Sequence, residues 1–167
     1  MEKASVVSKE EAAEMVNSGD RIVWNSFGSL GFPEEICRTI GDRFLETGEP
    51  NDLSYIFATA GVWDEDRMIE LMAYEGMIKK VVTSHFTPLP KIQQQARDNE
   101  IEGYDLPLGV LEHLFRAAAG KKPGILTKVG LNCFIDPRNR GAGVNDISQE
   151  EMVELMQLDG EEYLFYK

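Results

Sequence analysis

Basic residues are scarce in this chain of 167 residues, and so are long hydrophobic runs. Lys and Arg total 17 against 29 Asp and Glu, which gives a net charge of −12. Such a surface repels nucleic-acid phosphates, so we expect no DNA or RNA partner. No apolar run approaches the ~18 residues of a membrane-spanning helix, and the first residues lack the apolar segment of a signal peptide. We therefore expect a cytoplasmic protein with no membrane contact.

Cysteine and histidine are also rare, with two of each. Cys37 and Cys133 lie far apart without metal-ligand spacing, and we expect both thiols to be buried and reduced, Cys37 in a helix and Cys133 in an apolar strand. His85 and His113 have no acidic cluster beside them, so we expect no metal site. With 43% hydrophobic and 28% charged residues, the chain is typical of one globular domain over residues 1–167.

Apolar runs and helical periodicities alternate along most of the chain. A capping box at Ser8 and Glu11 begins the first predicted helix. The pattern then predicts an α/β fold, with a mainly parallel sheet and helices on both faces. Strands are expected at 21–27, 53–58, 78–83 and 101–104, helices at 33–45, 64–75, 90–99 and 108–119, and an extended segment at 124–134.

The last residues depart from this alternation. Asp159 and Gly160 separate two β-prone runs, at 153–158 and 161–166, which predicts a terminal β-hairpin. The aromatic run at the end has two interpretations. It is either an ordinary terminal strand, or an edge that belongs to a longer polypeptide or is covered by a partner.

A glycine-bearing turn follows the first predicted strand. Gly28 and Gly31 permit a tight turn and a close approach of backbone to a ligand, and Pro33 suits the first turn of a helix. In α/β sheets, small molecules bind outside the carboxyl ends of strands. The segment 19–33 therefore predicts a small-molecule site.

Six further segments occur in one order along the chain and carry a family resemblance. The chain resembles the amino-terminal, alpha-like part of the family I coenzyme A-transferases, especially the single-chain propionate or acetate type. The segments are 43–50 (RFLETGEP), 74–80 (YEGMIKK), 113–116 (HLFR), 122–130 (KPGILTKVG), 134–139 (FIDPRN) and 160–166 (GEEYLFY).

The resemblance implies a fold shared with ribose-phosphate isomerases and an activity divided between two halves. These enzymes move CoA from an acyl-CoA to a carboxylic acid, so CoA is a substrate and no other cofactor is expected. Their nucleophile is a glutamate in a Glu-x-Gly motif of the second half, and this chain corresponds to most of the first half only. We therefore expect a domain incomplete at its carboxyl end, inactive alone, that self-associates or binds a second half.

The resemblance also implies which residues line the pocket. No catalytic residue is assigned to this chain. The expected substrate- and CoA-pocket residues are Phe27, Gly28, Gly31, Thr59, Ala60, Gly61, His85, Leu108 and Gly109. His85 either hydrogen-bonds the substrate or is an ordinary loop histidine. Glu46 begins a formal Glu-x-Gly match, but we expect it at a helix end, with Gly48 as the C-cap.

Several positions depart from the family pattern. Asn25 and Ser26 stand where the family usually has glycines, and Leu108 replaces a glutamine that helps line the active site. These changes leave open a different acyl substrate, a different ligand or a loss of activity. A non-catalytic module that binds a small molecule or a partner is the main alternative. A sugar-phosphate isomerase activity ranks last, because no phosphate-cradling glycine loop is evident.

Overall fold

The computed structural model of the chain describes residues 4–61 and 63–167. Its main sheet has four parallel strands in the spatial order β1-β2-β3-β4. They are β1 (Arg21–Trp24), β2 (Leu53–Phe57), β3 (Ile78–Thr83) and β4 (Glu102–Asp105). Because each strand lies beside the next one in sequence, right-handed crossovers place all three connections on the same face of this sheet.

Four helical segments lie on that face of the main sheet. They are α1 (Lys9–Glu14), α2 (Glu34–Thr47), a 3₁₀ helix (Met68–Met72) and α3 (Pro90–Arg97). Tyr55 and Phe57 of β2 point into this layer and join a core that includes Cys37 of α2. The buried Tyr55 hydroxyl donates a hydrogen bond to the Met72 carbonyl oxygen at 2.9 Å, so its polar end is satisfied inside the core.

The opposite face is covered by α4 (Leu108–Ala119) and a small antiparallel sheet. That sheet has the order β5-β7-β6, from β5 (Ile125–Thr127), β6 (Val153–Leu158) and β7 (Glu161–Tyr166). Side chains alternate along a strand, so Ile56 of β2 and Val82 of β3 point into this second core. The predicted α/β fold with helices on both faces is confirmed.

Three local predictions are confirmed in detail. β3 and α4 have the predicted bounds. The capping box is formed, because Ser8 Oγ accepts from the Glu11 N–H at 3.1 Å and the Ser8 N–H donates to Glu11 Oε2 at 2.8 Å. The terminal hairpin turns at Asp159 and Gly160, both with positive φ (53° and 81°), as a two-residue type I′ turn requires.

The helix expected at 64–75 is wrong in type and length. Only the five-residue 3₁₀ helix forms there, although its methionines and Leu71 are buried as the spacing predicted. The backbone of this segment lies directly on α2, and a Cβ added at Gly41 would overlap the Leu71 carbonyl oxygen. Contact with α2, which local periodicity does not report, therefore sets the path of the segment.

The extended segment expected at 124–134 is wrong beyond β5. Gly130 and Asn132 have positive φ, and the Asn132 N–H donates to Asp136 Oδ2 at 2.9 Å, which turns the chain away from the sheet. Cys133 consequently lies exposed in this turn rather than buried in a strand, whereas Cys37 is buried as predicted. Within the described ranges, none of the helices combines the length and apolarity needed to cross a bilayer.

Candidate functional site

The carboxyl ends of the four parallel strands meet at one edge of the main sheet. The chain leaves each strand there through a short loop. The residues that sequence analysis predicts for the site all lie in these loops or at the start of α4. Phe27, Gly28 and Gly31 follow β1, Thr59, Ala60 and Gly61 follow β2, His85 follows β3, and Leu108 and Gly109 follow β4. The topology thus gathers all nine at one edge, and their role in binding stays a prediction.

Hydrogen bonds connect the loops of neighbouring strands. Ser26 Oγ after β1 donates to the Thr59 carbonyl oxygen at 3.3 Å, and Ser84 Oγ after β3 donates to the Ala58 carbonyl oxygen at 2.5 Å. A Cβ added at Gly61 would lie 2.6 Å from the Pro88 carbonyl oxygen, so a glycine is needed for the loops after β2 and β3 to approach each other. The edge is therefore tied together across β1, β2 and β3.

The loop after β1 closes on itself. The Phe27 N–H donates to the Leu30 carbonyl oxygen at 3.3 Å, and the Leu30 N–H donates back to Phe27 at 3.0 Å. Gly28 has a φ of 55°, which a glycine adopts at little cost. The glycines of this loop therefore form a turn, and a Cβ at Gly28 or Gly31 would meet no described atom within 4 Å.

Large apolar side chains point into solvent along this edge. Phe27 is 74% exposed, Leu30 72%, Trp63 69% and Leu108 43%. Ala60 differs from them, because its side chain is 1% exposed and belongs to the core. An apolar surface at the end of a parallel sheet suits contact with an apolar ligand group or with another polypeptide.

A cavity of about 490 Å³ begins at His85 and follows the outer side of β4. Asp105 is the last residue of β4, and it lines the cavity together with His85. Burial raises the pKa of Asp105 to about 6. The other lining residues are Phe86, Thr87, Gln93, Ala96, Arg97, Asn99, Val144, Asn145 and Asp146.

A second cavity of about 410 Å³ lies between α4 and β5 and includes Gly109. His85 and Gly109 thus line different cavities, and the other seven predicted residues lie outside both. The nine residues share an edge without forming one enclosed pocket in the described part of the chain. Sequence analysis missed Asp105 and Ser84, although both directly adjoin the strand ends on which it focused.

Carboxylates that resemble the family's nucleophile lie elsewhere. Glu46 is in the last turn of α2, and Gly48 closes that helix with a φ of 78° and an N–H bonded to the Phe44 carbonyl oxygen, as predicted. Because α2 starts beyond the end of β1 and finishes before the start of β2, Glu46 lies at the opposite edge of the sheet. His113 is exposed on α4, and among residues 4–61 and 63–167 no cluster of His, Cys, Asp and Glu could hold a metal.

Comparison with known proteins places these features in context. The family model described as Coenzyme A transferase matches residues 6–167. Caffeate CoA-transferase from Acetobacterium woodii is 38% identical over 165 residues, which are 98% of this chain and 31% of that protein. A probable succinyl-CoA:3-ketoacid coenzyme A transferase subunit from Bacillus subtilis is 28% identical over 128 residues, which are 77% of this chain and 51% of that protein.

A solved structure of a CoA-transferase is also similar to this chain. The acyl-CoA transferase YdiF from Escherichia coli O157:H7, crystallised as a thioester complex with CoA, is similar to this chain with a TM-score of 0.91 and 31% identity. The similarity covers 96% of this chain and 31% of that one. The chain therefore spans about a third of the length of the caffeate enzyme and of YdiF.

Proposed function

The chain belongs to the coenzyme A transferase family, and on that premise we propose that it forms one wall of a pocket in which CoA moves between an acyl-CoA and a short carboxylic acid. The observation that carries the proposal is the family match over residues 6–167. The wall is the carboxyl edge of the main sheet, where the loops after β1 to β4 lie side by side. CoA is a substrate here, and the proposal includes no other cofactor.

The attacking carboxylate comes from a second half. Transfer needs a glutamate that attacks the thioester carbonyl and displaces the CoA thiolate, which gives an acyl-glutamate anhydride. The thiolate then attacks the glutamyl carbonyl of the anhydride, which releases the acyl group as a carboxylate and gives a glutamyl-CoA. Of the loops that directly follow the four strands, only the one after β2 contains a glutamate, Glu65, and it is not followed by x-Gly. Glu46, which begins the formal Glu-x-Gly match, lies at the opposite edge. Relatives three times as long as this chain support the view that other residues supply this group.

The partner is therefore the second half of a transferase, either a separate chain, a continuation of this one or a second copy. The name of the B. subtilis relative describes a subunit, which supports an enzyme divided between chains. The exposed Phe27, Leu30, Trp63 and Leu108 offer that partner an apolar contact at the proposed pocket.

The experiment is an assay with and without the second half. The 167-residue chain, alone and mixed with a transferase second half, is tested for CoA transfer from an acyl-CoA to acetate. We expect transfer only in the mixture, with a covalent glutamyl adduct on the second half in mass spectrometry. Substantial transfer by the isolated chain, or an adduct on one of its own carboxylates, would contradict the division of labour.

A non-catalytic binding module is the second candidate. The exposed Leu108, which stands in place of the family's glutamine, favours it because the leucine cannot hydrogen-bond a substrate oxygen. Calorimetry with CoA, an acyl-CoA and short carboxylates separates the two functions. Tight binding without turnover beside a complementary half would support the module.

A further inference from the structure

The Ser84 hydroxyl determines where the proton of the His85 ring lies. Ser84 Oγ is 2.5 Å from the Ala58 carbonyl oxygen and 2.8 Å from His85 Nδ1. A carbonyl oxygen only accepts, and a serine hydroxyl has one hydrogen, so that hydrogen is donated to Ala58. Towards His85 the hydroxyl oxygen can then only accept, which requires a proton on Nδ1.

This arrangement leaves Nε2 of the neutral ring as a hydrogen-bond acceptor. None of the described residues hydrogen-bonds Nε2, and His85 is among the residues that line the 490 Å³ cavity. Asp105, whose carboxyl group has no hydrogen bond from the described residues, lines the same cavity at the end of β4. The cavity thus presents acceptors from two neighbouring strands beside the apolar Phe86 and Val144.

Resting on the transferase function proposed above, we infer that Ser84 is a positioning residue that holds His85 in the Nδ1–H tautomer, so that His85 Nε2 selects acyl groups bearing a hydroxyl over plain aliphatic ones. A carboxylate and a thioester both present acceptors at their reacting ends. A hydrogen-bond donor for His85 Nε2 has to come from another part of the substrate, and the proposal assigns it to a hydroxyl of the acyl group. A cavity of about 490 Å³ has room for a short acyl group of this kind.

The tautomer is measured on the 167-residue chain without any substrate. With ¹⁵N-labelled histidine, long-range ¹H–¹⁵N spectra at pH 8 resolve two rings, because the chain has only two histidines. We expect Nδ1–H in His85, with the exposed His113 as an internal reference. Ser84→Ala should move His85 towards Nε2–H, whereas Ser84→Thr, which keeps a hydroxyl, should not. A wild-type His85 protonated on Nε2 would overturn the role of Ser84.

Selectivity is measured in the mixture of chain and second half. The ratio of kcat/KM for 3-hydroxybutyryl-CoA to that for butyryl-CoA should be about ten in the wild type and in Ser84→Thr, which corresponds to one neutral hydrogen bond. It should fall towards one in Ser84→Ala and in His85→Phe, which keeps an aromatic ring. His113→Gln should leave the ratio unchanged.

Failure of the selectivity proposal can be distinguished from failure of the proposed transferase function. Equal kcat/KM for the two substrates in an active wild-type mixture would refute selection by His85 and leave the transferase function intact. Transfer of neither substrate would contradict the proposed function, and selection by His85 with it. The tautomer measurement decides the role of Ser84 in either case, and a denaturant unfolding curve like that of the wild type shows that each variant is folded.

Discussion

Glu70 is an acidic side chain held inside the protein, with only 1% of its surface exposed. Its Oε2 accepts a hydrogen bond from the Lys91 N–H at 2.6 Å, which ties the 3₁₀ helix to the first turn of α3. Its Oε1 is buried and has no partner among the described atoms. Burial raises the pKa of Glu70 to about 7, since the charged form loses its hydration.

The raised pKa predicts a stability that falls as the pH rises. The pKa of Glu70 is about 4.5 in the unfolded chain and about 7 in the folded one, so the folded state binds this proton more tightly. The free energy of unfolding therefore decreases as the pH rises from about 4.5 to about 7. Glu70→Gln mimics the protonated group. We expect it to remove up to about 3 kcal/mol of this pH dependence. Urea unfolding of the wild type and of Glu70→Gln from pH 5 to pH 8 measures the free energy of unfolding at each pH. The same pH dependence in both proteins would contradict the prediction.

Asp136 is also buried, but its charged partner Arg138 shifts its pKa in the direction opposite to that of Glu70. Asp136 is fully buried and accepts hydrogen bonds from the Arg138 guanidinium at 2.7 and 2.9 Å and from the Asn132 N–H at 2.9 Å. The Arg138 guanidinium is the main cause that holds the pKa of this carboxyl well below its usual range. Arg138 also binds Glu162 of β7, which anchors the turn to the hairpin.

Asp136→Asn is expected to lower the free energy of unfolding at pH 7 by about 2–3 kcal/mol. The variant leaves Arg138 without its buried partner. Because the folded pKa is depressed, the wild-type advantage exists above the unfolded value of about 4 and shrinks as the pH falls below it. Glu162→Gln, which removes only the exposed pair, should cost less than about 1 kcal/mol. Denaturant unfolding curves of the wild type and both variants at pH 7 and pH 3 test this prediction. A difference between wild type and Asp136→Asn that is the same at pH 3 as at pH 7 would contradict it.

Sequence analysis found some of the residues of the candidate site and missed others. His85 was predicted because it follows a strand and matches a family loop. Ser84 and Asp105 were missed, since their importance rests on which atoms they meet. Ser84 bonds the Ala58 carbonyl just beyond β2, and Asp105 is partly buried beside a cavity that residues of α3 and residues 144–146 also line. Such contacts cannot be derived from spacing along the chain.

At the scale of elements, the predictable parts have strong local signals. α4 has helical periodicity ending at Gly120, and the hairpin has Asp159 and Gly160 between two β-prone runs. The segment 64–75 has helical spacing as well, yet contact with Gly41 of α2 sets its path. Local pattern therefore predicted the elements whose ends are fixed by caps and turns, and failed where another element fixes the backbone.

Gly124 before β5 and Gly160 before β7 both have positive φ (156° and 81°), and they differ in backbone contact, so the pair tests the added cost of that contact. A Cβ at Gly124 would overlap the Tyr166 carbonyl oxygen of β7, whereas a Cβ at Gly160 would meet nothing within 4 Å. We expect Gly124→Ala to cost about 2–3 kcal/mol, because β5 must move away from β7. Gly160→Ala should cost about 1 kcal/mol, from its left-handed φ alone. Chemical denaturation ranks the two variants, and equal costs would show that β5 is free to shift.

The whole molecule combines a strongly acidic surface with an apolar edge. The net charge of −12 opposes the close approach of two copies of the chain at low salt. The four exposed apolar side chains of the site edge lie on loops or at the start of α4, outside the cores. A complementary half that covers this edge gains apolar burial there, so association should depend more on these side chains than on exposed apolar residues elsewhere.

The double variant Phe27→Ser, Leu30→Ser tests this dependence. The loop after β1 is closed by backbone hydrogen bonds, so we expect the isolated chain to keep its unfolding free energy. The Kd for a transferase second half, measured by calorimetry, should rise at least about tenfold, because two apolar anchors are lost from the contact. The matched control is Met156→Ser, Leu158→Ser on β6, whose side chains are 43% and 50% exposed in the antiparallel sheet. An equal loss of affinity in the control would show that the second half does not dock on the carboxyl edge of the main sheet.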